Sequence, residues 1–175
     1  MKTLPDHLRY TTGHCQLGGL LLATCDTGIC AILLGDGDQA MVDDLQQRFP
    51  KATLERDDAA LDKDMQALLH YVDHPVGKLD LQRPWAAFGS EFQKKVWAEL
   101  ARVPAGQTIS YTELARRIGN PAGVRAVAGA CAANPLAIVV PCHRVLRSDG
   151  GISGYRWGVE RKVKLIELER RLAGS

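Results

Sequence analysis

A chain of 175 residues, 46% hydrophobic and 24% charged, has an ordinary globular composition, which excludes disordered, collagen-like and disulfide-scaffold classes. Its net charge of +2 conceals a division near Ala86: residues 1–86 carry 8 Lys/Arg against 13 Asp/Glu, and residues 87–175 carry 14 against 7, leaving −5 and +7. A basic half fits a polyanionic partner, whose phosphate contacts release counterions, and fits a solvated surface equally well.

In chain order, Gly18–Ala23 and Ile29–Leu34 are short apolar runs around Asp26-Thr27-Gly28, which predicts a β-hairpin. Leu20–Ala23 is too short to span a membrane, and no basic run leads into it. Leu22-Ala23-Thr24-Cys25 departs from a lipoprotein cleavage box by its threonine, so export is not expected. The five cysteines, Cys15, Cys25, Cys30, Cys131 and Cys142, are odd in number and scattered, which fits a reducing, cytoplasmic setting. His14, Cys15, Cys25 and Cys30 lie close in sequence without a recognised zinc spacing, so no metal and no cofactor are expected. A helix is predicted around Leu45–Phe49, a polar connection over Lys51–Asp64, and a second helix over Met65–Val72, together a small α/β unit. Asp80–Trp85, with Pro84, reads as the crossing into the basic half.

That half is better punctuated. Ser90-Glu91-Phe92-Gln93 has the form of a capping box, followed by Phe92, Val96 and Leu100 at four-residue spacing, which predicts a helix to about Arg102. Pro104-Ala105-Gly106 breaks it. Ser110-Tyr111-Thr112-Glu113 is a second capping box, opening a short helix that Gly119 ends. Asn120-Pro121 is predicted as N-cap and first residue of a further helix reaching Ala133. Two helices across a tight turn make a helix-turn-helix candidate. The second is rich in small residues, Ala126 and Ala130 among them, with Arg125 its only charge. Small side chains let a helix enter a nucleic-acid groove closely, or pack closely on a core.

Ile138-Val139-Val140 is predicted as a buried strand that delivers Pro141-Cys142-His143-Arg144. Nucleophilic attack needs a thiolate, and a histidine backed by a carboxylate is a common way to generate one. At about 100° per residue, a C-terminal helix over Val159–Leu172 sets Val159, Val163 and Ile166 to one side and Leu165, Leu168 and Leu172 to another. Glu169 falls inside this apolar arc and Glu167 outside it. A buried carboxylate needs a partner: His143 is one candidate, and Arg144 is the structural alternative.

With Pro141 to Val145 the sequence resembles the O6-alkylguanine-DNA alkyltransferases, and the likeness extends over nearly all of residues 88–170, including Gly154-Tyr155-Arg156-Trp157-Gly158. The acidic half, at Gly28–Gly35 and Leu45–Pro50, is similar to the bacterial adaptive-response members, whose preceding zinc domain is expected to be absent. The resemblance implies an α/β (α+β) chain: a ribonuclease-H-like domain over residues 1–86 and a winged helix-turn-helix domain over 87–175. It implies Cys142 as acceptor of a methyl or alkyl group from O6-alkylguanine and O4-methylthymine, once per molecule. By matched position His143 is its base through a water, Glu169 orients His143, Tyr111 assists rotation of the target nucleotide and donates to guanine N3, and Asn134 is a hinge. Arg125 is the finger that fills the vacated stack, with Ala126 and Ala130 on the same DNA-binding helix; Tyr155, the Val145 backbone, Arg156 and Trp157 enclose the base. The bulk of Arg156-Trp157 implies a tight pocket favouring methyl. The implied partner is double-stranded DNA, bound by a monomer through the minor groove, without a membrane. A Cys-His-Glu hydrolase and a non-catalytic DNA-binding module are the rival readings. The first lacks an oxyanion-hole motif, and the alkyltransferase-like sensors of the second replace the cysteine that is intact here.

Overall fold

The computed structural model describes residues 3–77, 79–86 and 88–173. The chain forms two compact units, residues 1–88 and 89–175; Ala87, beside the expected domain boundary, lies outside the described residues.

In the first unit, β1 (His7–Cys15), β2 (Gly18–Cys25) and β3 (Gly28–Gly35) form an antiparallel meander, and β4 (Thr53–Arg56) joins the outer edge of β1 in parallel, giving the order β3-β2-β1-β4. The predicted hairpin is β2–β3. Both faces of the sheet are covered, which is why β2 and β3 read as unbroken apolar runs. Helix α1 (Asp38–Arg48) sets Met41 over Gly19 and Gly35, while α2 (Asp58–Asp73) sets Met65 and Leu69 against Gly13 on the opposite pleat. The polar stretch expected to be a connection contains β4 and the start of α2. Its charges hold that edge together: Arg56 donates to Asp58 (3.0 Å) and to Thr12 Oγ1 (2.8 Å), and Thr11 donates to Asp58 (2.7 Å).

The crossing segment returns to the sheet before leaving the unit. Ile29 N–H donates to Pro84 O and Ala86 N–H to Ile29 O, both at 2.8 Å, so Trp85 pairs in parallel beside β3. This approach requires glycine at position 28, where φ is +139° and a Cβ would lie 2.2 Å from Pro84 O. A left-handed residue and a backbone clash each cost about 1–3 kcal/mol. Gly28→Ala should therefore lower the melting midpoint of this unit by roughly 5–15 °C, measured by circular dichroism.

The second unit packs α3 (Glu91–Leu100), α4 (Tyr111–Arg117) and α5 (Val124–Ala132) together, adds the two-residue parallel strands β5 (Ile109–Ser110) and β6 (Val145–Leu146), and closes with α6 (Val159–Ala173). The first capping box is complete: Ser90 Oγ accepts from Gln93 N–H, and Gln93 Oε1 accepts from Ser90 N–H. The second is half formed. Ser110 Oγ accepts from Glu113 N–H, but the Glu113 carboxylate turns outward to Arg116 and Arg117, which hold its pKa down to about 2.

Gly119 (φ +79°) ends α4 with Asn120 N–H reaching Ala115 O. The next helix starts later than expected. Asn120–Gly123 is a turn, closed by Gly123 N–H to Asn120 O, and α5 begins at Val124. The mixed α/β class with a small sheet unit and a helical second unit agrees with the sequence.

Candidate active site

The stretch Ile138–Val140, expected as a strand, is a buried turn in which Ile138 takes a left-handed φ of +73°. Asn134 holds it there. Its side-chain amide donates to Leu136 O (3.3 Å), Val140 O (2.8 Å) and Cys142 Sγ (3.3 Å), and its oxygen accepts from Leu136 N–H (2.9 Å). A β-branched residue costs about 1–3 kcal/mol in that conformation, and the fully buried Asn134 offsets it by satisfying the loop's carbonyls, a task a strand would have left to a neighbouring strand.

The loop ends in a 3-10 turn, Cys142–Arg144, whose three side chains are all buried. Cys142 lines a cavity of about 300 Å³, at the small end for ligand pockets. The turn's other two side chains converge on Glu169. His143 Nε2 lies 2.7 Å from Oε1; Arg144 donates from Nε to Oε2 (3.0 Å) and from Nη2 to Oε1 (2.8 Å), and its Nη1 reaches Val103 O (2.6 Å). Both partners weighed for Glu169 are thus present on one carboxylate. Burial pushes its carboxyl up, but the hydrogen bonds and charges of His143 and Arg144 outweigh that and hold the pKa at about 2. His143 is driven the other way: burial, reinforced by the positive Arg144 and Lys162, outweighs Glu169 and lowers its pKa. The imidazole is therefore neutral, with Nε2–H donated to the carboxylate. Its buried Nδ1 has no hydrogen-bond partner among the described residues and is a ready proton acceptor.

Around the cavity, Tyr111 opens α4, Tyr155 and Arg156 come from the loop before α6, and Ala128, Cys131 and Ala132 come from α5. Tyr111 Oη lies 2.8 Å from Ser153 Oγ, and burial raises its pKa. Two expected walls stand elsewhere. Trp157 is buried behind the Tyr155 ring, 5.3 Å between centroids, and Val145 is the buried first residue of β6, paired with Ile109; neither bounds the cavity.

Arg125, Ala126 and Gly129 are exposed on α5, Ala122 is exposed in the turn before it, and Ala132, also exposed, reaches the cavity. Ala130, grouped with the DNA-binding residues from sequence, faces the core instead: it is buried, and its carbonyl accepts from Trp97 Nε1 at 2.8 Å. At 3.6 residues per turn the outward position is Gly129.

The apolar arc on α6 also differs. Val159 is exposed, Leu165, Ile166 and Leu168 are buried as expected, and Lys162 and Glu169 are buried among them. Lys162, fully buried, was not singled out from sequence, although it stands seven residues before Glu169 on the same face. Its Nζ donates to Ser153 Oγ (3.2 Å) and to Gly154 O (3.5 Å) and stands 5.9 Å from the centre of the Tyr111 ring. In the first unit, Cys30 is buried in β3, burial pushes its thiol pKa far up, and no group of three metal-ligating side chains occurs among the described residues.

Residues 8–79 match the family model for the ribonuclease-like domain of 6-O-methylguanine DNA methyltransferase, and residues 91–171 match that for its DNA binding domain. The bifunctional transcriptional activator/DNA repair enzyme Ada of Escherichia coli is 48% identical over 93% of this chain, which covers 45% of that protein. Like it, the regulatory protein ada of Salmonella typhimurium is covered only to 45%, so the chain spans less than half the length of these two relatives. The inducible methylated-DNA--protein-cysteine methyltransferase of Bacillus subtilis is 40% identical over 74% of this chain and 72% of its own length. Among solved structures, Mycobacterium tuberculosis OGT in complex with DNA superposes with a TM-score of 0.79 at 31% identity, covering 95% of this chain and 94% of the other.

Proposed function

Since the chain belongs to the 6-O-methylguanine DNA methyltransferase family, we propose that it repairs double-stranded DNA by moving a methyl or alkyl group from O6 of guanine, or O4 of thymine, onto Cys142. The observation that carries this reading is a buried cysteine facing a base-sized cavity, with a neutral histidine next to it and a carboxylate behind the histidine.

The chemistry follows from these groups. His143 Nδ1 takes the thiol proton through a water, and Glu169 stabilises the imidazolium that results. The thiolate pair attacks the sp3 carbon, the carbon–O6 bond breaks, and its electrons pass to the purine, which receives the Tyr111 proton at N3. The product thioether has no activated water to reverse it, so each molecule acts once. The target atom lies inside a duplex, and extruding the nucleotide costs about a few kcal/mol. Arg125 offsets this by filling the vacated stack. The exposed small residues Ala122, Ala126 and Gly129 suit close approach to the minor groove, with contacts to phosphate and sugar and little sequence preference. The protein acts as a monomer in the cytoplasm and needs no cofactor.

Intact-mass analysis and peptide mapping after incubation with O6-methylguanine duplex tests the reading. One methyl per molecule, on Cys142, is expected; tight binding without any mass change would instead indicate a damage sensor. Arg156 at the cavity edge, rather than the buried Trp157, limits adduct size. Arg156→Gly should speed reaction with free O6-benzylguanine by about tenfold, the scale of a small steric change in a pocket. Unchanged second-order rates for the inhibitor would reject that assignment.

A further inference from the structure

From the contacts around Tyr111 we infer that Ser153 and Lys162 are positioning residues for the transfer step: they fix the Tyr111 hydroxyl as a donor toward the leaving base and stabilise the charge that gathers on its oxygen. The inference rests on the alkyl-transfer reading above and assigns the work of two residues outside the Cys142, His143 and Glu169 set.

Three observations meet at one hydroxyl. Ser153 Oγ lies 2.8 Å from Tyr111 Oη and 3.2 Å from Lys162 Nζ. Lys162 comes from the buried stripe of α6, and its ammonium stands 5.9 Å from the Tyr111 ring centre. Tyr111 itself bounds the cavity that holds Cys142. An ammonium has only donors, so the Lys162 contact occupies a Ser153 lone pair. Either hydroxyl of the Tyr111–Ser153 pair could donate; with one Ser153 lone pair already held by Lys162, the Ser153 proton is assigned to the Tyr111 oxygen. That leaves the Tyr111 proton to be presented to the cavity.

The arrangement strengthens as the reaction proceeds. When the carbon–O6 bond breaks, the purine gains an electron pair and Tyr111 gives its proton to the ring nitrogen, so negative charge moves to Tyr111 Oη. A donated Ser153 hydrogen bond and a nearby buried cation both favour that charge in place, without reorganisation. A solvent proton restores Tyr111 afterwards. Burial alone makes the hydroxyl a poorer acid, and Ser153 acts against this.

The test compares wild type, Ser153→Ala, Ser153→Thr and Lys162→Met in two single-turnover reactions: methyl transfer from O6-methylguanine duplex, and alkylation of Cys142 by iodoacetamide, whose leaving group takes no proton. Loss of a donor acting directly on an oxyanion costs about 10²–10³ in rate, and one acting through a tyrosine costs less. Ser153→Ala and Lys162→Met should slow duplex transfer by roughly tenfold or more and leave iodoacetamide labelling within about twofold. Ser153→Thr, which retains the hydroxyl, should restore most of the rate, and in a Tyr111→Phe background Ser153→Ala should add almost nothing.

Ser153 is half-exposed, so its variants fold independently of the fate of Lys162→Met. Equal transfer rates in wild type and Ser153→Ala would overturn the inference, and so would an equal slowing of both reactions or an undiminished effect in the Tyr111→Phe background. A wild-type protein that takes up no methyl while still labelling with iodoacetamide would overturn the functional reading instead.

Discussion

Cys142→Ala should abolish methyl transfer while leaving affinity for O6-methylguanine duplex within about threefold of wild type, because the exposed α5 stripe is untouched by the substitution. The expectation of complete loss rests on the other thiol that the described residues bring to the cavity. Cys131 also lines it, but burial first, and then the neighbouring Cys142, pushes its pKa to about 12. Burial, the larger cause, persists when Cys142 is removed, so Cys131 stays a protonated thiol at neutral pH. Cys131 therefore cannot take over as acceptor on the time scale of repair. Removing the Cys142 sulfur also takes away one of the three acceptors of the Asn134 amide, while Leu136 O and Val140 O remain. The cost in stability should be about 1 kcal/mol. Gel-shift titration and a radiolabelled methyl-transfer assay read the two quantities separately. Transfer persisting in the alanine variant would mean that the acceptor lies elsewhere.

Glu169→Gln should cost both stability and activity, since it removes a charge that serves two buried partners. Breaking one side of a buried ion pair costs about 3–5 kcal/mol. Here Arg144 and His143 both lose it. The pH dependence separates the contributions. Glu169 has its pKa depressed from 4.5 to about 2 in the fold, so it adds stability above pH 4.5, of the order of 3 kcal/mol, that disappears as pH falls toward 2. His143 is also depressed, from 6.5; the unfolded chain binds its proton first, and stability falls as pH drops below 6.5. Wild type should thus lose stability in two stages on acidification, while Glu169→Gln, weaker at pH 7, should show a much smaller stage below pH 4.5, left to exposed carboxylates such as Glu113. Urea midpoints followed by Trp97 and Trp157 fluorescence across pH 3–8 would show this. Parallel profiles for the two proteins would mean that Glu169 is not the anchoring charge.

How much of this was legible depended on whether a signal was local. The β2–β3 hairpin and the α3 capping box are written in adjacent residues, and both formed as read. Strand β1 went unread because its residues alternate irregularly between solvent and core, and Arg9, Thr12 and His14 conceal the period. Strand β4 is an exposed, charged edge that only its pairing with β1 makes a strand. Ile138–Val140 misled for a different reason: three apolar β-branched or aliphatic residues mark burial, and a long-range clasp by Asn134 then selects a turn. For the site, the Cys-His pair and the buried Glu169 were visible as motif and periodicity. Lys162 was passed over because a lysine on an apolar stripe reads as an edge residue, and its partners Ser153 and Gly154 become visible only when the loop folds back.

Glu169 lies in the last turns of α6, and the end of that helix is seated on a glycine. Gly106 has a φ of +89°, and a Cβ there would meet the Ala173 Cβ at 2.5 Å and the Glu169 carbonyl at 3.6 Å. Helix ends fray first, with opening free energies well below that of global unfolding. Each fraying event that reaches Glu169 releases the carboxylate that holds both His143 and Arg144, and the three-residue turn between nucleophile and anchors has no slack to absorb the change. The temperature ceiling of the proposed chemistry should therefore be set by this helical terminus, below the temperature at which the domain melts. Amide exchange in the final turns of α6 should track the fraction of molecules competent to react.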